Sequence, residues 1–316
     1  MKVFITRKIP DNAQELLRKA GFKVSVFNKD RAITKDELIK FAKNADAIIP
    51  LLSDKITKDV IDSLPMCKVI ANYAVGYNNI EVKYAKSKGI IVTNTPDVLT
   101  DSTADIAIGL TLTCARHICT AQNFVLKQKF TGWKPKLFLG IELKNKIFGV
   151  VGAGRIGQET AKRAKAFGMT IIYYNRSRKI EFENETNAKK VSLKKLLKIS
   201  DVISLHLPLT ESTFHLLNKE NLDLLKSTAI LINTARGEIV DEKYLIKLLK
   251  GKKIFAAGFD VYEGEPKVNK ALLNLKNAVI LPHIGSATFE ARNKMAKLTA
   301  KNIINVLSGG KPITPV

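Results

Sequence analysis

The chain has 316 residues, 46% hydrophobic and 26% charged, a composition of soluble globular proteins that excludes the disordered and fibrous classes. At about 150 residues per domain, that length predicts two domains, each able to bury a core. Lys and Arg number 52 against 29 Asp and Glu, a formal charge of +23, but only 10 are Arg and the lysines are scattered, so a solvated surface is expected rather than a nucleic-acid groove.

The opening segment Lys2 to Arg7 is too short and too charged for a signal sequence, and no apolar run reaches the 18 residues of a membrane span. A soluble, cytoplasmic protein without membrane partners is expected. Strands are predicted at Val3 to Thr6, Lys23 to Phe27, Ala47 to Leu51, Val69 to Ala71 and Ile90 to Thr93. Helical spacing lies between them at Asp11 to Ala20, Thr34 to Phe41 and Asn79 to Ser87. This alternation implies a parallel sheet with helices on both faces.

A hinge is expected near Thr95 to Thr100, followed by one long helical stretch from Ser102 to Lys127. Cys114 and Cys119 fall in its apolar pattern and read as small core residues. With Cys67 they are an odd number without a CxxC, so neither a disulfide framework nor a metal site is expected. A second series of buried strands follows at Ile147 to Val151, Thr170 to Tyr174, Val202 to Leu205, Ala229 to Ile232, Ile254 to Ala257 and Val279 to Leu281. Helices fit at Ile156 to Phe167, Leu193 to Lys198, Lys219 to Leu225 and Glu242 to Lys250. Six parallel strands make a complete dinucleotide-binding sheet. The last helix, Glu290 to Leu307, has no strand partner and is expected to return to the first domain. The predicted division is therefore 1–98 plus 287–316 against 99–286.

Gly152-Ala153-Gly154-Arg155-Ile156-Gly157 follows an apolar strand and opens an Ala-rich helix, the context in which G-x-G-x-x-G has a mechanism. Gly152 permits the tight turn, Gly154 admits a pyrophosphate, and Gly157 lets helix and strand pack closely; Arg155 and Ile156 begin the helix that meets the phosphates. The ribose-reading acid expected about 20 residues later is missing. Asn175, Arg176, Ser177 and Arg178 stand there instead. An acid would repel a 2′-phosphate, whereas Arg176 and Ser177 can hydrogen-bond one, so NADP(H) is preferred, with NAD(H) as the alternative.

Three later strand ends carry Asn233-Thr234-Ala235-Arg236-Gly237-Glu238, Asp260-Val261-Tyr262-Glu263-Gly264-Glu265-Pro266 and Leu281-Pro282-His283-Ile284-Gly285-Ser286. Reducing a 2-oxo acid requires a planar cation to hold and polarise the substrate, an acid to protonate the developing alkoxide, and a group that keeps this acid charged. Arg236, His283 and Glu265 suit these catalytic roles. His117, His206 and His215 read as structural or peripheral.

With Ala74-Val75-Gly76-Tyr77-Asn78, Asn94 to Thr100 and Gly132-Trp133 before Leu139-Gly140, these segments resemble, over essentially the whole chain, the D-isomer-specific 2-hydroxyacid dehydrogenase family, nearest its glyoxylate/hydroxypyruvate reductases. The resemblance implies two doubly wound parallel-sheet domains, a flavodoxin-like substrate domain and a Rossmann dinucleotide-binding domain, with an interdomain cleft. It implies that Arg236 binds substrate, that Glu265 pairs with the proton donor His283, and that Val75 and Gly76 offer backbone N–H groups to the substrate carboxylate. Leu52, in the small apolar pocket loop Leu51-Leu52-Ser53, is a further expected substrate contact. Thr103, Asn233 to Arg236 (with Thr234 and Ala235) and Asp260 would contact the nicotinamide half, and Pro208 and Thr213 the adenosine side. Leu207, His283, Gly285 and Ser286 are further expected cofactor contacts. The helical region near 100–140 would form a homodimer in which Trp133 reaches the partner's active site.

A neighbouring carboxylate stabilises an imidazolium, so Glu265 is read as the electrostatic partner of His283. The similar formate dehydrogenases carry an amide there, and the acid thus argues for proton-coupled carbonyl reduction. The pocket loops add no cation for a substrate phosphate, which disfavours 3-phosphoglycerate. The expected reaction is NADPH-dependent reduction of glyoxylate, and of hydroxypyruvate, to the 2-hydroxy acid. The alternatives are a broad NADH-dependent D-2-hydroxyacid dehydrogenase and, from another class, a dinucleotide-sensing corepressor-like protein.

Overall fold

The computed structural model describes residues 1–316, which divide into two units: Met1–Leu99 with Ser286–Val316, and Thr100–Gly285. The architecture is α/β, with one doubly wound parallel sheet in each unit. No helix is long and apolar enough to cross a membrane.

The first unit runs β1 (Lys2–Ile5), α1 (Asn12–Lys19), β2 (Lys23–Val26), α2 (Lys35–Ala42), β3 (Ala47–Ile49), α3 (Lys58–Asp62), β4 (Val69–Ala71), α4 (Val82–Ser87) and β5 (Ile91–Thr93). Its strands lie in the order β2-β1-β3-β4-β5, all parallel, the flavodoxin-like arrangement. Helix α2 starts where the Thr34 hydroxyl accepts from Glu37 N and the Glu37 carboxylate accepts from Thr34 N, a reciprocal cap. The short α3 has no extended apolar period and lies outside the predicted elements. Residues returning from the C-terminal end complete the unit: their helix, Phe289–Leu307, packs on α1 and β4. It is pinned there by Asn12 Nδ2 to Asn293 O at 3.1 Å and Tyr73 OH to Arg292 O at 2.8 Å. Pro315 bridges to Thr93 on the sheet's edge.

The second unit begins with helices α5 (Thr100–Arg116) and α6 (Ile118–Leu126). These correct the single helix expected over Ser102 to Lys127. His117 between them takes a left-handed φ of 55°, which breaks the helix. Cys119 is consequently not a core residue: α6 buries none of its side chains and Cys119 is exposed, while Cys114 is buried.

Seven strands and their helices follow: β6 (Ile147–Val151), α7 (Arg155–Ala166), β7 (Thr170–Tyr174), α8 (Ile180–Thr186), β8 (Lys189–Lys190), α9 (Leu193–Ile199), β9 (Val202–Leu205), α10 (Lys219–Leu222), β10 (Ile230–Asn233), α11 (Glu242–Lys250), β11 (Ala256–Phe259), α12 (Lys270–Leu273) and β12 (Ala278–Ile280). The final helix Phe289–Leu307 is then α13. The sheet order is β12-β11-β10-β9-β6-β7-β8. The sheet exceeds the predicted six strands by one: β8, two exposed lysines paired to Ile172 and Tyr173. Alternate side chains build separate apolar clusters, Val151, Ile172 and Leu205 in one and Val150, Ile171 and Tyr173 in the other, as the period of a strand dictates. Strand β6 pairs with both β7 and β9, so the strand order reverses beside it. Ligands of such sheets bind at that reversal, outside the carboxyl ends of the strands.

Candidate active site

The glycine loop leaves β6 at this reversal. Gly152 has φ 99°, and a Cβ there would lie 2.6 Å from the His206 carbonyl oxygen and 2.8 Å from Leu207 Cδ2. A Cβ on Gly157 would collide with the Gly152 carbonyl oxygen and lie 3.0 Å from Val150 Cγ1. Gly154 differs: a Cβ there would meet no atom within 4 Å, so its outer side is open. Gly154 is also the N-cap of α7 and supplies no side-chain cap, which leaves the first-turn amides of Ile156 and Gly157 to an anion.

At the end of β7, Asn175 Nδ2 donates to Ser177 O at 2.9 Å and to Ser177 Oγ at 3.3 Å. Arg176 and Ser177 are exposed, and Lys190 Nζ donates to Arg176 O at 3.1 Å. Arg178 is engaged by Glu183 at 2.7 Å, so of the two guanidinium groups it is the one already neutralised. After β9, Thr213 Oγ1 donates to Pro208 O at 2.6 Å and accepts from Thr210 N at 2.8 Å, closing the loop that follows Leu207. Ser204 Oγ lies 2.8 Å from His206 Nε2, and burial pushes that imidazole down to about 3.

The turn after β10 is shaped by Asn233, whose side chain donates to Arg236 O at 2.8 Å and accepts from Ala235 N at 3.0 Å. The adjacent Thr234 Oγ1 is buried without a hydrogen-bond partner. Burial pushes the Arg236 guanidinium down, against the opposing fields of Glu265 and Glu238. Gly237 is required because any Cβ would strike the backbone of Tyr262 and Glu263, where the loop bearing Glu265 passes.

Glu265 uses both oxygens, Oε1 accepting from Tyr262 N at 3.1 Å and Oε2 lying 2.9 Å from His283 Nδ1. Both side chains are about a quarter exposed. His283 has φ 55°, and the peptides after it are gripped by the buried Asp260, whose carboxylate accepts from Ile284 N and Gly285 N, each at 2.7 Å. Burial pushes the Asp260 carboxyl up, opposed by these two N–H groups and by His283. Thr103 Oγ1 donates to Gly285 O at 3.2 Å. Sequence reasoning missed that Asn233 and Asp260 hold backbone here; a polar residue at a buried strand end was the available signal.

Arg236, Glu265 and His283 thus stand at the carboxyl ends of β10, β11 and β12 of one sheet. Leu52, Val75, Gly76 and Ser286 belong to the first unit. Trp133, in the second, is 83% exposed. The open Gly154, the uncapped start of α7 and the unpartnered Thr234 hydroxyl fit a dinucleotide lying across the strand ends of the second unit.

Residues 108–285 match the family model of the D-isomer specific 2-hydroxyacid dehydrogenase NAD binding domain. The chain is 50% identical over 315 residues to the glyoxylate reductase of Thermococcus litoralis, covering 98% of this chain and 95% of that one. Among solved structures, the TT0316 protein of Thermus thermophilus superposes with a TM-score of 0.94 at 42% identity, over 100% of both chains. An NADPH-dependent glyoxylate/hydroxypyruvate reductase of Sinorhizobium meliloti, in complex with NADP and malonate, gives 0.87 at 32% identity, over 100% of this chain and 96% of the other.

Proposed function

Because the chain belongs to the D-isomer-specific 2-hydroxyacid dehydrogenase family and is an NAD(P)-dependent oxidoreductase, we propose that it reduces glyoxylate, and hydroxypyruvate, to the 2-hydroxy acid with NADPH preferred. The observation that carries this reading is the 2.9 Å pairing of His283 with Glu265 on the sheet that presents Arg236. Reduced nicotinamide, when bound, supplies the hydride. Arg236 holds the 2-oxo acid and polarises its carbonyl; its partial burial strengthens that field. His283 delivers a proton from its Nε2 to the forming alkoxide, while Glu265 on Nδ1 fixes the orientation of the ring. Amides of Val75 and Gly76 receive the substrate carboxylate, with Leu52 as a further contact. Asp260 and Thr103, by fixing 284–285, hold the imidazole's loop in place.

The preference for NADPH rests on Arg176 and Ser177 being exposed where a ribose-binding acid is absent. Homodimer formation rests on the apolar surface of α6 and the stretch after it: Val125, Leu126, Phe130, Trp133 and Leu139 are all exposed. A panel of 2-oxo acids assayed with NADPH and NADH by loss of nicotinamide absorbance tests the reading. Turnover of glyoxylate with NADPH is expected; inactivity across the panel with tight dinucleotide binding refutes it.

A further inference from the structure

The loop that reads the substrate carboxylate has a support built of asparagines. Three successive carbonyls in it are held from behind: Ala74 O by Thr95 N at 3.0 Å, Val75 O by Asn94 Nδ2 at 2.8 Å and Gly76 O by Asn72 Nδ2 at 2.8 Å. In a trans peptide the carbonyl and the following N–H point in opposite directions. Anchoring these three carbonyls therefore turns the amides of Val75, Gly76 and Tyr77 the other way, and none of the three donates within the chain. Consecutive free amides of this kind form an anion-binding concavity.

The Asn72 side-chain amide is itself fixed. Asn79 Nδ2 faces the carbonyls of Leu51 and Asp54, both at 3.1 Å, and so must be a donor. Its oxygen then accepts from Asn72 Nδ2 at 3.2 Å. Asn72 is 1% exposed and Asn94 9%, too buried for water to replace either donor cheaply. Asp54 completes the support, its buried carboxylate accepting from Leu51 N at 2.8 Å and from the Thr6 hydroxyl.

We infer that Asn94 and Asn72 are positioning residues that aim the Gly76 and Tyr77 amides at the substrate carboxylate beside that of Val75, which Thr95 N sets through Ala74 O, with Tyr77 supplying a third donor. This rests on the reading of Val75 and Gly76 given above. Neither asparagine touches substrate; each acts through a carbonyl.

The test compares glyoxylate with its methyl ester, which keeps the reducible carbonyl and loses the anionic group. Asn94→Asp and Asn72→Asp keep the side-chain shape and replace the donor by an acceptor; Asn94→Ala removes the donor without adding a charge should either fold poorly. Hydrogen bonds to charge are strong enough that kcat/KM for glyoxylate should fall about 10- to 100-fold, mostly through KM. NADPH affinity and kcat/KM for the ester should stay within about threefold of wild type. An acid preference that survives all three substitutions, or equal losses on acid and ester, overturns the inference alone. A wild type that turns over glyoxylate no better than its ester removes the carboxylate from this loop and overturns the underlying reading with it.

Discussion

Replacing Asn175 by Asp should shift the cofactor preference toward NADH, and the size of the effect follows from the strand end. Unit charges 4 Å apart interact by about 1 kcal/mol in bulk water and about 4 kcal/mol at an effective dielectric of 20. A phosphate monoester carries about 1.5 to 2 charges. Asn175 is half-buried and its neighbours Arg176 and Ser177 are exposed, so the water-like end of that range governs. Repulsion of a 2′-phosphate then costs about 2 kcal/mol, about 30-fold against NADPH. The new carboxylate also accepts from a free ribose hydroxyl, about 1.5 kcal/mol in favour of NADH. Loss of the Asn175 bonds to Ser177, the residue read as holding that phosphate, acts in the same direction. Together these effects move the NADPH/NADH ratio of kcat/KM by about 300-fold. Steady-state kinetics with each cofactor at saturating glyoxylate measure it, and a ratio within threefold of wild type refutes the argument.

His283→Ala should lower kcat by about 10² to 10⁴; full turnover at neutral pH removes the imidazole from the reaction. Leu126→Glu places a charge on a side chain 71% exposed in the surface assigned to the dimer, so sedimentation should show dissociation to monomers; an unchanged mass, or a monomeric wild type, contradicts that assignment. His206 stays neutral in the folded protein because burial holds it at about 3, whereas the unfolded chain binds a proton below about 6.5. Its contribution to stability is therefore complete above pH 6.5 and declines as pH falls, by about 2 kcal/mol at pH 5. Thermal melts of His206→Gln should show less acid sensitivity, and superimposable pH dependence in the two proteins would dismiss this account.

Most of the sheet framework was legible because β-branched runs and amphipathic helices alternate with little ambiguity. What escaped had no apolar signature. Strand β8 consists of Lys189 and Lys190, exposed side chains held only by their backbone pairing to Ile172 and Tyr173. The break at His117 lies inside a run whose apolar spacing continues across it, so a single left-handed residue was invisible, and Cys119 beyond it was misplaced into a core. At the candidate site, the glycine spacing was readable since each position answers a demand of the backbone around it. Arg236, Glu265 and His283 were readable as polar groups closing apolar strands. The pairing of Arg178 with Glu183 was not, because it depends on α8, which sequence periodicity did not reveal. Nor was the grip of Asp260 on two peptide N–H groups, which is a property of the folded loop.

The packing of α13 onto α1 and β4 has a consequence during synthesis. Residues 1–99 are translated before residues 100–285, yet the helix that packs against their α1 and β4 is translated after them. Translation at about 5 to 20 residues per second puts on the order of 10 to 40 s between the two events, the time needed to read Thr100–Gly285. Throughout that interval the nascent first segment lacks the helix that packs on its α1 and β4. The intervening unit has every strand of its own sheet in one continuous stretch and can mature first, so the order of birth and the order of completion are reversed.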